Sequence, residues 1–114
     1  MIEELVRMVF ETRNQAHIQH WRETSDFSHE TLGHFYEDII DNIDDIVEAH
    51  QGIFDLVQIE EEGISGIESK IKDDLLFISK NRKEITNGIP AIDNLLQSLE
   101  NTYMKTLYKL TRLK

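Results

Sequence analysis

The chain has 114 residues, a formal net charge of −10, one proline and no cysteine. That length supports one hydrophobic core rather than two. A content of 39% hydrophobic and 30% charged residues is neither that of a membrane-embedded chain nor that of a disordered one. The lack of cysteine excludes disulfides and thiolate metal sites.

The charge is unevenly spread. From Glu23 to Ser69 there is no Lys or Arg, while the same stretch holds fourteen Asp and Glu residues. Nine of the twelve basic residues fall from Lys70 onward. Gripping a phosphate backbone takes a basic face or tail. The only candidate is the short end Lys105, Lys109, Arg112 and Lys114, which suits the dipole at a helix C-terminus. DNA binding is therefore not expected. An acidic middle suits cations, hard metal ions among them. No apolar run reaches the ~18–20 residues of a bilayer span, and the first residues carry acid where a secretory signal carries positive charge. No membrane association and a cytoplasmic location are expected.

Four segments repeat apolar residues at helical spacing. The first, residues 2–21, aligns Ile2, Leu5, Val6, Val9, Ala16 and His20. A polar loop, Glu23-Thr24-Ser25-Asp26, follows, and Ser28, with Thr24 and Asp26 upstream, can cap the next helix. The second, residues 29–51, aligns Leu32, Phe35, Tyr36, Ile39, Ile43, Ile46 and Val47, with Gly52 as its stop. The third, residues 67–85, aligns Ile67, Ile71, Leu75, Ile78 and Ile85. Asn87-Gly88-Ile89-Pro90 reads as a stop followed by a start. The fourth, residues 90–113, aligns Ile92, Leu95, Leu96, Leu99, Tyr103, Leu107 and Leu110.

Four amphipathic helices predict a single all-α domain over residues 1–114, a four-helix bundle. Short first and third links predict antiparallel neighbours. The middle link, residues 52–66, is long enough for a crossover between helices two and three, the ferritin-like arrangement. A helical turn within it is possible at Ile53, Phe54, Leu56 and Val57. An up-down-up-down bundle is the alternative.

Of five histidines, His17, His20, His29 and His34 lie within eighteen residues, and His50 stands apart. His17 and His20 share a helix face, as do Asp44 and Glu48. Imidazole with carboxylate suits iron, manganese or zinc. The competing view makes the carboxylates a solvated face and the histidines satisfied polar residues. No Glu precedes a His by three positions, so a di-iron site of the Glu-x-x-His kind inside one bundle is not expected.

His20-Trp21 closes helix one, Phe27-Ser28-His29-Glu30 opens helix two, and Asp44 and Glu48 follow fifteen and nineteen residues after His29. Together these resemble the Dps branch of the ferritin-like proteins. The resemblance covers residues 16–52 well and the last two helices only by pattern. It implies an inter-subunit ferroxidase site in which His20 and His29 come from one subunit and Asp44 and Glu48 from its mate. Iron(II) would be oxidised there by hydrogen peroxide, with zinc or manganese as possible replacements for iron. Trp21 would pack close to the metal, and His17 and His34 would be accessory groups. A homodimer is the minimum, and a larger homo-oligomer is compatible. Two features depart from the family: a shorter link from Trp21 to His29, and Gly33 where a further acidic ligand often stands. A second hypothesis is a non-enzymatic helical interaction or structural protein that kept the bundle and lost the chemistry. A third is a metal that only holds the dimer together.

Overall fold

A computed structural model describes residues 1–59 and 66–113. Those residues form four helices and no strand: α1 (Ile2–Arg22), α2 (Asp26–Ile53), α3 (Ile67–Thr86) and α4 (Pro90–Arg112). Contacts group the chain into two compact units, Met1–Glu60 and Glu61–Lys114. Among the described residues, no helix is long and apolar enough to cross a membrane.

The first unit is an α1–α2 hairpin. Its closest packing is at Val6, Ala16 and Ile43, which lie on the two apolar stripes read from the sequence. The cap of α2 differs from expectation. Ser25, not Ser28, precedes the helix with extended backbone, and its hydroxyl accepts the Ser28 N–H at 3.3 Å. Ser28 is thus the residue whose amide is capped, and α2 starts three residues early. It also runs through Gly52 before Phe54 ends it in extended backbone. Beyond Ile53, no helical turn forms over residues 54–59: Val57 donates its N–H to the Gln51 side chain at 2.9 Å. Residues 60–65 of the link lie outside the described residues.

The second unit is an α3–α4 hairpin with Ile71, Ile78, Thr86 and Leu96 buried. Asn87 adopts left-handed backbone (φ 51°) as the C-cap of α3, Gly88 follows at φ 72°, and Pro90 occupies the first turn of α4. This is the stop-and-start read from the sequence. Charged side chains tie the helices together. The Arg82 guanidinium donates to Asp93 at 2.5 Å and also to Glu100. The Tyr103 hydroxyl donates to Asp74 at 2.8 Å, and Lys70 pairs with the same carboxylate. The Lys70 and Tyr103 hydrogen bonds hold the Asp74 carboxyl below its ordinary range. Arg82, assisted by Gln97, does the same to Asp93.

Candidate metal centre

The turn between α1 and α2 spans only Glu23 to Ser25, so the last turn of α1 lies against the first turns of α2. There His20 and His29 stack face to face, with ring centroids 3.6 Å apart and planes 18° from parallel. Each Nδ1 meets the backbone carbonyl of the other residue: His29 Nδ1 lies 2.6 Å from the His20 oxygen, and His20 Nδ1 contacts the His29 oxygen. A carbonyl only accepts, so each Nδ1 must carry a proton. The neutral rings are therefore fixed as Nδ1–H tautomers, and both Nε2 atoms keep their lone pairs. This is the arrangement in which a backbone carbonyl orients a metal-ligating imidazole.

The stack also limits what the pair can do. A metal binds in the plane of an imidazole at about 2.0–2.1 Å from its nitrogen. Two nearly parallel rings 3.6 Å apart share no such point. As they stand, His20 and His29 serve two ions or only one of them serves an ion.

Gly33 explains how the stack fits. A Cβ at this position would lie 3.2 Å from His20 Cε1 and 3.4 Å from Nδ1. The absent side chain leaves space that the imidazole uses. Both rings line an open cleft with Asp26, Glu30, Gly33, His34, Tyr36 and Glu37. His34 pairs with Glu30 at 3.6 Å in exposed surroundings, so it sits at the cleft's edge.

Trp21 is 68% exposed, and its ring contacts His17 at 4.4 Å. The contact recorded for it is with His17, one turn back, rather than with His20 or His29. His17 is held between Trp21 and Tyr36, stacked on the latter at 4.1 Å. Desolvation, then the Arg13 and His20 charges, push the His17 imidazole below its ordinary pKa. Tyr36 also meets His20 edge-on at 5.5 Å, and Arg13 lies 5.2 Å from the Tyr36 ring centre. Sequence reasoning placed Tyr36 in the apolar stripe and missed this role. Its position two turns after His29 on one helix face was the available signal.

Asp44 and Glu48 are exposed on α2. Asp44 is fifteen residues beyond His29 in one unbroken helix, about 22 Å along its axis. One copy therefore brings His20 and His29 together and leaves Asp44 and Glu48 apart from them. Among the described residues, no three His, Asp or Glu side chains gather to hold a metal ion. Imidazole with carboxylate is donor chemistry that suits an iron-type ion, and of the four candidate ligands one copy brings together only the two histidines. No family model, curated protein or solved structure matches the chain.

Proposed function

We propose that the chain is an iron(II)-binding, Dps-type ferroxidase whose site forms between two copies. His20 and His29 of one copy supply nitrogen donors, each to its own ion because the stacked rings share no point in both planes, and Asp44 and Glu48 of the other supply oxygen. Iron(II) is the substrate and hydrogen peroxide the oxidant. The reading carries with it a ferritin-like bundle with a long crossover between α2 and α3. The observation that supports it most is the reciprocal Nδ1–carbonyl pairing, which leaves two oriented Nε2 lone pairs beside an acidic cleft. Within the site, the carbonyls hold the imidazoles in their metal-binding tautomer, and the carboxylates offset the ion's charge.

The test is anaerobic titration with ferrous iron followed by peroxide, reading ferric absorbance. Wild type should oxidise iron rapidly and Asp44→Ala should not. His20→Asn is the sharper variant. An asparagine amide can still donate to the His29 carbonyl but offers no counterpart of Nε2, so fold should persist while iron oxidation falls. Oxidation in wild type at the protein-free rate would overturn the reading.

One observation favours the non-enzymatic alternative: among the described residues, no three ligands meet within one copy. A scaffold of that kind would melt at the same temperature with and without a chelator, whereas a metal binder is stabilised by mass action.

A further inference from the structure

The separation of donors within one copy constrains how two copies meet. Resting on the proposed inter-copy site, His29 of one α2 must lie opposite Asp44 of the other. A two-fold axis does this for both halves only if it crosses α2 midway, between Tyr36 and Glu37. The residues at that level are then placed against themselves, since a two-fold interface is self-complementary.

The structure shows what stands there. Arg13 of α1 is level with this point, its guanidinium 5.2 Å from the Tyr36 ring centre. Arg13, His17, Tyr36, Glu37, Ile40 and Asp41 line one shallow cleft. Among the described residues Arg13 pairs with no carboxylate; its one recorded hydrogen bond is to its neighbour Asn14 at 3.3 Å. Glu37 is exposed and likewise pairs with no cation. The need for a counter-charge is clear from the rest of the helix. Asp26, Glu30, Glu37, Asp41, Asp44 and Glu48 fall within one 60° sector at 100° per residue, and α2 contains no Lys or Arg. Two such faces brought together repel each other unless a cation enters.

We propose that a second copy of this chain docks across this cleft, with Arg13 of each copy paired to Glu37 of the other. The two guanidinium–carboxylate pairs flank the two-fold axis, fix the register of the antiparallel α2 helices and thereby set His29 opposite Asp44. Arg13 acts here as a positioning residue and touches no metal.

Charge reversal tests this directly. Arg13→Glu places carboxylate against carboxylate in its own dimer, and Glu37→Arg places guanidinium against guanidinium. Each variant alone should be mainly monomeric by sedimentation velocity at concentrations where wild type is dimeric, its dissociation constant raised at least tenfold. An equimolar mixture of the two restores both pairs and should dimerise as wild type does. Circular dichroism verifies that each variant is folded. The inference is overturned if wild type is monomeric with chelator and with cobalt(II). It is also overturned if either variant dimerises normally, or if the mixture of folded variants stays monomeric. A mixture that dimerises in chelator, from a protein that takes up no iron or cobalt, would keep this interface and refute the proposed function.

Discussion

Replacing Gly33 by alanine separates two effects that ordinarily act together. In a helix interior, alanine is favoured over glycine by about 0.5–1 kcal/mol. At Gly33 that gain meets an obstacle: the new Cβ would stand 3.2 Å from His20 Cε1, so the imidazole must move by a few tenths of an ångström. Movement loosens two reciprocal hydrogen bonds, each with a net worth of about 1 kcal/mol. The gain should therefore be cancelled or reversed. Gly52, in the last turn of the same helix, provides the control, because nothing lies within 4 Å of its added Cβ. Gly52→Ala should raise the melting temperature by a few degrees, and Gly33→Ala should leave it unchanged or lower it. Histidine ring resonances should shift only in Gly33→Ala, with weaker cobalt(II) uptake. Equal stabilisation by both substitutions, with unmoved histidine signals, would refute the packing of His20 over Gly33.

The remaining expectations concern stability. Ile43, 2% exposed in the first hairpin, should cost about 2–4 kcal/mol when cut to alanine, read by urea unfolding. Arg82→Ala leaves Asp93 and Glu100 without their shared guanidinium and should lower the melting temperature, whereas Lys72→Ala on the exposed side of α3 should not. Asp74 and Asp93 have lowered pKa values in the fold, so the unfolded chain binds more protons. Their stabilisation is present above the ordinary carboxylate pKa of about 4 and is lost as pH falls below it. His17 is also lowered; its contribution is present above the ordinary histidine pKa of about 6.5 and declines as pH falls beneath it. His17→Phe should flatten the melting temperature between pH 7 and 5.

The helices were legible because two independent signals coincide: apolar residues at three- and four-residue spacing, and an Asn-Gly-x-Pro break that the backbone uses as a left-handed cap and a first-turn proline. Boundaries were less legible where two residues of one type compete. Ser25 and Ser28 are chemically equivalent caps, and the choice went to the one with extended backbone, three residues before the amide it binds. Gly52 looked like a stop, yet the helix runs one residue past it, and Phe54, in extended backbone, marks the break instead. His20 and His29 could be expected to approach each other across a short turn. Their carbonyl exchange could not, because it depends on main-chain positions that only the packed hairpin sets. Gly33 was read as a missing ligand. In three dimensions it is space for an imidazole, a property that belongs to the pair and to neither residue alone.

Trp21 is the chain's single tryptophan, and its ring lies against His17. The indole is thus an optical reporter placed by the fold at the end of the hairpin where the histidines gather. Protonated imidazole quenches indole emission, and so do many bound transition-metal ions. Fluorescence from the unlabelled protein can therefore follow proton uptake, metal entry and the approach of a second copy in real time, each on a signal arising from one known position.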